Sequence, residues 1–284
     1  MRFTITTVSA LGFILAVVQT APTGPPPTAS SVQRIIGGTK VNGRAYPFAA
    51  VLNIVVPGGV ALCGGSLIAD NYILTAAHCI TDEQSGAPTS ASAVVAGLGS
   101  NNVEKAELYQ ASKISVHPGF DTMSLANDVA LVQLKKSAKL DDNTQIVKLT
   151  DSKIKDNQVL QAIGWGKVSN AGSVSDDLRQ VNITVGPTSK CREAEPDFKD
   201  QSGPTICAAK NDNHDTCQGD SGGALVYSDG KSFQLAGLTS YGFTPGSTST
   251  ACGTSSVVAF YTRPAYFADW ISKTTGIKKD TLLA

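Results

Sequence analysis

Apolar residues after position 35 occur in short runs, and this feature limits the possible folds more than any other. The runs span four to nine residues, many are rich in Val and Ile, and Gly, Pro, Asn and Asp separate them. Short apolar runs bounded by turn-forming residues are typical of strands in β-sandwiches and β-barrels. The sequence therefore predicts an all-β protein, with strands at 48–56, 94–97, 129–134, 159–163, 180–185 and 235–239.

One helix is predicted close to the end of the chain. Four apolar residues within 265–275 recur at helical spacing, and Pro264 precedes them at a position where helix starts tolerate proline. A polar and charged stretch at 135–156 divides the strand-rich region into two halves. We interpret this stretch as a linker between two subdomains.

The first 34 residues differ from the rest of the chain. A basic start at Arg2 precedes an apolar run at 8–18 that is too short to span a bilayer, which is the layout of a cleaved signal peptide. Residues 21–34 are rich in Pro, Ser and Thr and have too few apolar groups to build a core. We expect a signal peptide at 1–20, a leader at 21–34 and one domain at 35–284 in a secreted, extracellular protein.

Charge and cysteine content exclude several classes of function. Residues 35–284 carry 21 Lys and Arg against 23 Asp and Glu, so neither a nucleic-acid partner nor a membrane partner is expected. Six cysteines in a secreted chain predict three disulfides, with fifteen pairings open. Because the chain has three histidines and no C-x-x-C pair, we predict no metal site.

The GDSGG stretch at 219–223 is the clearest chemical signal. Glycines on both sides of Ser221 allow a sharp turn that brings backbone N–H groups near a substrate carbonyl. The same pattern fits the nucleophile elbow of α/β-hydrolases, but that fold needs its histidine after the serine. All three histidines precede Ser221, so the elbow interpretation fails and the order His, Asp, Ser remains.

His78 and Asp128 are the candidates for the other two positions. His117 and His214 lie in turn-like polar stretches and are predicted at the surface, whereas His78 ends an apolar run. The residues around His78 fit a structural histidine as well as a base. Asp128 opens a buried strand, where a carboxylate needs a partner because an isolated buried charge is costly.

Motifs along the chain carry a family resemblance. In order they are IIGG at 35–38, CGGSLI at 63–68, LTAAHC at 74–79, NDVAL at 127–131, GWG at 164–166, DTCQGDSGG at 215–223, SYG at 240–242 and YT at 261–262. Together they resemble the chymotrypsin/trypsin family of serine proteases, over residues 35 to about 272. The resemblance implies two six-stranded antiparallel β-barrels, a C-terminal helix and an active site between the barrels.

The resemblance also implies a role for each candidate. Ser221 is the expected nucleophile, His78 the general base and then acid, and Asp128 the group that orients His78. The N–H groups of Gly219 and Ser221 are expected to bind the oxyanion, and no cofactor is implied. The family pairing of cysteines uses all six, as Cys63–Cys79, Cys191–Cys207 and Cys217–Cys252.

Specificity is inferred in the same way. Asp215 stands six residues before Ser221, where trypsin-like members place the acid that recognises Lys or Arg. Ser240 and Gly242 are expected to border this pocket, and Ala259 replaces a second glycine that is usual in trypsins. Tyr241 also replaces the usual Trp, and the segment 243–251 is longer than in ordinary trypsins.

Activation follows from the start of the motif set. The resemblance implies that a cut between Arg34 and Ile35 frees an α-ammonium that pairs with Asp220, so that 21–34 is an activation propeptide. A separate sequon at Asn182 marks a candidate glycosylation site within a predicted strand.

Two alternatives to a trypsin-like enzyme remain. Ala259 and the long rim segment fit a chymotrypsin- or elastase-like specificity, and a non-catalytic homologue used for binding is a second alternative. The expected partners are protein or peptide substrates and protein protease inhibitors, and we expect a monomer.

Overall fold

The computed structural model of the protein describes residues 38–82, 85–209, 214–248 and 251–284. The predicted signal peptide, the predicted propeptide and the Arg34–Ile35 junction lie outside these residues. So does Gly37, which belongs to the IIGG motif.

The described ranges are dominated by antiparallel strands. Each run that the sequence predicts as a strand overlaps one, which confirms the all-β class. The thirteen strands within these ranges are β1 Thr39–Lys40, β2 Ala49–Val56, β3 Gly59–Ala69, β4 Tyr72–Thr75, β5 Val94–Leu98, β6 Glu107–Val116, β7 Ala130–Leu134, β8 Val159–Gly164, β9 Arg179–Thr184, β10 Thr205–Ala209, β11 Ala224–Ser228, β12 Phe233–Phe243 and β13 Val258–Thr262.

Six strands close a barrel in the order β2-β3-β4-β7-β6-β5. Side chains alternate along β2, so that Leu52 and Ile54 point into the barrel and are buried while Val55 is exposed. Closure pairs every strand on both sides and leaves no free edge in this half of the molecule. The first predicted six-stranded barrel is therefore present as expected.

The second half is a seven-stranded sheet in the order β1-β9-β8-β11-β12-β13-β10. The expected barrel of six strands gains the short strand β1, which pairs with the start of β9 and occupies its outer edge. Beyond β9 the gap to β10 is bridged by one hydrogen bond, from the N–H of Gly186 to the carbonyl of Cys207 at 2.9 Å. A Cβ at Gly186 would lie 2.7 Å from the backbone nitrogen of Ala209, so only glycine permits this approach.

The C-terminal helix is present close to its predicted bounds. A 3₁₀ turn at Pro264–Phe267 leads into α2, Ala268–Thr275. Two short helices were not predicted, α1 at Thr188–Ala194 and α3 at Lys279–Leu282.

His117 corrects one prediction. Its ring is half-buried rather than at the surface, and it packs edge-on against Phe267 and Trp270 at centroid distances of 5.2 and 5.1 Å. Burial lowers the pKa of His117 accordingly. This histidine therefore helps to dock the C-terminal helix, whereas His214 is exposed.

The segment between the two halves is well anchored. The chain leaves the barrel after Leu134 and enters the second sheet at Val159. Within this segment Leu149 is fully buried and forms bridges to Leu235 and Leu283. The linker therefore joins the barrel, the second sheet and the C-terminus into one structure.

Candidate active site

His78 and Asp128 form a hydrogen-bonded pair at the edge of the barrel. His78 begins a 3₁₀ turn directly after β4, and its Nδ1 lies 2.7 Å from Oδ2 of Asp128. The backbone N–H of His78 donates to Oδ1 of the same carboxylate at 2.9 Å. The carboxylate is fully buried while the imidazole is one-quarter exposed. This arrangement places the proton on Nδ1 and leaves Nε2 free to accept a proton from a nucleophile.

Asp128 is also held by the second sheet. The hydroxyl of Ser240 on β12 donates to Oδ2 of Asp128 at 2.5 Å, and the hydroxyl of Thr262 on β13 donates to the Asp128 carbonyl at 2.8 Å. The Ser240 bond helps to satisfy a buried carboxylate that would otherwise be costly, and the Thr262 bond holds the backbone of the same residue. The His78–Asp128 pair is therefore fixed by both halves of the protein.

Ser221 lies on the turn between Cys217 and β11. The N–H of Gly64 on β3 donates to the carbonyl of Ser221 at 2.7 Å, which ties the turn that carries Ser221 to the barrel. Within the described residues, no hydrogen bond joins the Ser221 hydroxyl to His78. Catalytic hydrogen bonds are often long in unliganded enzymes and tighten when substrate binds.

Gly219, a candidate oxyanion-hole residue, has a backbone conformation that favours glycine. Its φ is 96°, a region that favours glycine, and a Cβ would lie only 3.0 Å from Cα of Gly166. The turn is held by the Asp220 N–H, which donates to the Cys217 carbonyl at 2.9 Å. Gly219 is therefore fixed in a turn that a residue with a side chain would not fit.

Asp220 is completely buried next to this turn. Its carboxylate accepts hydrogen bonds from the N–H groups of Gly166 and Cys217, at 2.8 and 2.9 Å. Desolvation raises the pKa of Asp220 to about 7, because it outweighs these two donors. A cation that reached Asp220 would therefore gain a strong interaction with its ionised form.

A cavity of about 440 Å³ opens beside Ser221. Asp215 lines it and is 4% exposed, with Oδ2 accepting the N–H of Gly253 at 3.0 Å. Gly242 and Ala259 lie opposite each other on β12 and β13, and both line the cavity. The predicted pocket residues thus meet in one cavity, although the Ser240 hydroxyl is engaged with Asp128.

No metal-binding cluster accompanies the site. Over the ranges that the structure describes, no group of three or more His, Cys, Asp or Glu side chains could hold an ion.

The profile of the Trypsin family matches residues 35–271 of the chain. The chain belongs to the trypsin family. It is thus related to serine proteases, which are hydrolases that act on proteins. The motifs that carried the resemblance all lie within the matched region, and so do the residues of the candidate triad and pocket.

Curated relatives agree with this membership. Trypsin 5G1 of Aedes aegypti is 29% identical over 247 residues, which cover 86% of this chain and 86% of that protein. Granzyme B of Rattus norvegicus is 32% identical, over 84% of this chain and 90% of its own length. Brachyurin of Leptuca pugilator is 32% identical, over 86% of this chain and 99% of its own length.

The six cysteines form three disulfides, as trypsin-family membership implies. The pairs are Cys63–Cys79, Cys191–Cys207 and Cys217–Cys252. The first joins β3 to the turn that carries His78, and the third joins the start of the turn that carries Ser221 to the rim of the cavity. Two of the three disulfides therefore constrain the segments that carry the candidate residues His78 and Ser221 in this trypsin-family protein.

Asn170 is a contributor to the site that sequence reasoning missed. Its side-chain amide makes two reciprocal hydrogen bonds with Cys252, donating to the carbonyl at 3.2 Å and accepting from the N–H at 2.8 Å. Because Cys252 is bonded to Cys217, this contact ties the 170 loop to the rim of the trypsin-family pocket.

Stacked aromatic rings support the part of the cavity that Tyr241 and Phe243 line. Tyr241 stacks on Phe260 with a centroid distance of 4.9 Å, and Phe243 stacks on both rings. Phe243 opens the long segment 243–251, of which residues 249 and 250 lie outside the described ranges. Tyr241 and Phe243 both stand where the sequence departs from that of ordinary trypsins, and their rings belong to one aromatic cluster.

Asn182 lies on β9 with its side chain exposed. An exposed side chain fits a glycosylation acceptor, and modification at this position stays a prediction. None of the helices in the described ranges has the length and apolar character needed to cross a bilayer.

Proposed function

We propose that this protein is a secreted serine endopeptidase, made as a zymogen, that hydrolyses peptide bonds after Lys or Arg. The observation that carries this proposal is the buried Asp215 carboxylate in the cavity beside Ser221. A cationic side chain entering that cavity would pair with Asp215, whereas a neutral one would leave the acid unpaired.

The proposed chemistry uses the His78–Asp128 pair. Nε2 of His78 takes the proton from the Ser221 hydroxyl as Oγ attacks the substrate carbonyl, and Asp128 stabilises the imidazolium. The carbonyl π electrons move to oxygen, and the N–H groups of Gly219 and Ser221 bind this oxyanion. Collapse expels the amine, which takes the proton from His78 and leaves an acyl-enzyme on Ser221.

Water completes the cycle. His78 takes a proton from a water molecule, whose oxygen attacks the acyl carbonyl and forms a second oxyanion at the same N–H groups. When this intermediate collapses, the Ser221 oxygen leaves and recovers its proton from His78. The products are a carboxylic acid, which loses its proton to the solvent, and the amine released earlier, so the enzyme returns to its starting state.

A cleavage-site profile on a peptide library tests the proposed specificity. We expect Lys or Arg before nearly every cut. Dominant cleavage after aromatic or small apolar residues would instead support the chymotrypsin- or elastase-like alternative, which Ala259 favours because its side chain reduces the space in the cavity.

The ionisation of Asp215 gives a pH-dependent prediction. Desolvation raises the pKa of Asp215 to about 6, because it outweighs the hydrogen bonds from the N–H groups of Gly253 and Thr216, which lower the pKa. Because kcat/KM reports the free enzyme, the ratio of kcat/KM for an Arg peptide to that for an apolar peptide should be constant above pH 7. As the pH falls below about 6, Asp215 becomes neutral and the ratio should fall, approaching tenfold per pH unit.

Taking the ratio cancels the pH dependence of the catalytic steps that the two peptides share. The matched control is Asp215→Asn, whose carboxamide does not titrate, so its ratio should be low and independent of pH. A wild-type ratio that stays level between pH 5 and 8 would show that the charge on Asp215 does not select the substrate.

Zymogen activation is proposed from Asp220 and the Arg34–Ile35 junction. Cleavage there would create the ammonium that Asp220 can accept, and the paired acid would hold the Gly219 turn for the oxyanion. We expect uncleaved Arg34→Gln protein to be at least about 100-fold less active than protein starting at Ile35, the effect of losing one oxyanion donor. Activity is measured after N-terminal sequencing of each sample.

Arg44→Gln is the control, because Arg44 is an exposed arginine that does not belong to the Arg34–Ile35 bond. It should be processed and active like the wild type. Full activity of the uncleaved Arg34→Gln protein would contradict the zymogen proposal and leave the roles of His78, Asp128 and Ser221 untouched. Secretion, a monomeric state and binding of protein inhibitors complete the proposal and follow from family membership and the predicted signal peptide.

A further inference from the structure

Asn170 holds both backbone groups of one residue on the rim of the candidate pocket. Its side-chain Nδ2 donates to the carbonyl of Cys252 at 3.2 Å, and its Oδ1 accepts the N–H of the same residue at 2.8 Å. A carboxamide suits this task, because it carries an acceptor and two donors in one plane. Cys252 lines the cavity that Asp215 and Ser221 also line. The contact therefore fixes the backbone of the rim rather than a side chain.

The peptide that Asn170 holds also reaches Asp215. The Cys252 carbonyl, which accepts from Asn170, and the Gly253 N–H belong to one planar peptide unit. That N–H donates to Oδ2 of the buried Asp215 carboxylate at 3.0 Å. In a trans peptide the carbonyl and the N–H point in opposite directions within the plane. Asn170 and Asp215 therefore bind opposite sides of one rigid unit, so the orientation set at one side is passed to the other.

The disulfide between Cys217 and Cys252 does not give the same control. It joins the two residues through their side chains, so the peptide planes on either side of Cys252 can still rotate about the bonds to its Cα. The Asn170 amide acts on those planes directly, because it engages the N–H and the carbonyl. One side chain thus removes the freedom that the disulfide leaves.

The loop that carries Asn170 is itself held by backbone contacts. Its two ends pair in an antiparallel bridge between Lys167 and Val174. At its tip, the N–H of Gly172 donates to the carbonyl of Ser169 at 3.0 Å. These contacts hold the loop on both sides of Asn170, so its side chain has a fixed base from which to orient the rim.

Asp215 depends on such donors to stay charged. Burial raises its pKa to about 6, and the hydrogen bonds from Gly253 and Thr216 oppose this rise. The titratable groups that face it are the Asp220 carboxyl, whose pKa the charge on Asp215 raises, and the completely buried Tyr261 hydroxyl. Neither side chain supplies a positive charge. A weaker bond from Gly253 would therefore leave Asp215 neutral at a higher pH.

We propose that Asn170 is a positioning residue for Asp215, because it orients the Gly253 N–H through the peptide that joins Cys252 to Gly253. The inference rests on the proposed specificity for Lys or Arg and adds the residue that sets how strongly Asp215 selects a basic side chain. Loss of the Asn170 amide should let this peptide rotate, so that the Gly253 N–H spends part of its time turned away from the carboxylate.

Asn170→Ala is the diagnostic variant, because the side chain is exposed and its loss empties no core. The readout is the ratio of kcat/KM for an Arg peptide to that for an apolar peptide between pH 5 and 8, with every enzyme processed to start at Ile35. The pH at which this ratio falls should rise by about half a unit, since two or three N–H donors together lower a carboxylate pKa by roughly two units. The change should come chiefly from slower cleavage of the Arg peptide.

Ser169→Ala is the matched control. Ser169 precedes Asn170 in the same exposed loop, and its hydrogen bond to Gly172 uses the backbone carbonyl, so this variant should keep the wild-type profile. A second control is Asn170→Ala in the Asp215→Asn background, where no carboxylate remains to be held. There the substitution should change the ratio by less than about twofold at any pH, because two residues that act through one group are not additive.

The outcomes separate this inference from the proposed function. If wild-type enzyme shows no preference for Arg, or a preference that does not depend on pH, the proposed role of Asp215 falls and this inference falls with it. If the wild-type ratio falls near pH 6 and Asn170→Ala keeps that pH, the positioning role is overturned and the proposed specificity stands. The same conclusion follows if Asn170→Ala slows both peptides equally, if Ser169→Ala moves the profile as far, or if Asn170→Ala still lowers the ratio in the Asp215→Asn background.

Discussion

Replacing Ser221 with Ala is expected to lower amide hydrolysis by roughly 10⁶-fold while the protein stays folded. The change removes the oxygen that attacks the carbonyl, and no neighbouring group among the described residues offers the same atom to His78. The hydrogen bond that anchors this turn should survive, because Gly64 donates to the backbone carbonyl of Ser221. The measurement is kcat with a fluorogenic amide, together with thermal unfolding of both proteins.

Ser152→Ala is the matched control. Ser152 is half-buried like Ser221 but lies in the segment that joins the two halves, so its variant should keep wild-type activity. If Ser221→Ala retains activity within tenfold of wild type, Ser221 is not the nucleophile. Equal losses in both serine variants would instead point to damage to the fold.

The strands could be predicted from the sequence because their signal is local. Runs of Val and Ile between turn residues mark an extended segment wherever it pairs, so β2, β5 and β8 were found near their observed bounds. Pairing between strands is not local. The apolar runs themselves therefore do not show that six strands close a barrel in one half, or that β1 joins the sheet in the other half. The short helix α1 escaped prediction because seven residues are too few to show a helical period.

The candidate site divides in the same way. His78, Asp128 and Ser221 stand in motifs that a reader of the sequence can find, and the structure brings His78 and Asp128 into contact. Their supports are long-range contacts that no local pattern marks. The Ser240 hydroxyl reaches Asp128 across 112 positions, and Asn170 meets Cys252 across 82.

Asp215→Ser is expected to remove the preference for basic residues. Kcat/KM for an Arg peptide should fall by about 10⁴-fold, the scale at which sites built for one polar group reject a mismatched partner. The same change should raise cleavage after apolar residues relative to Arg. The physical reason is that the cavity would hold a buried guanidinium with no anion beside it.

The folded protein should tolerate this substitution. Asp215 is 4% exposed, and burial already raises its pKa to about 6, so a neutral side chain relieves a desolvation cost at neutral pH. The melting temperature should therefore not fall by more than a few degrees. The control for the loss of one negative charge is Asp142→Ser, because the Asp142 side chain is 86% exposed and its ion pair with Arg44 lies at the surface.

Three comparisons then decide the role of Asp215. Wild type and Asp142→Ser should both prefer Arg over apolar peptides, and Asp215→Ser should reverse that order with its hydrolysis of apolar peptides intact. If Asp215→Ser still cuts after Arg as well as wild type does, the acid lies in the cavity without selecting the substrate. In that case Ala259 and the stacked rings of Tyr241 and Phe243 would set the specificity. Because these apolar groups line the cavity, the enzyme would then be expected to cut after apolar residues.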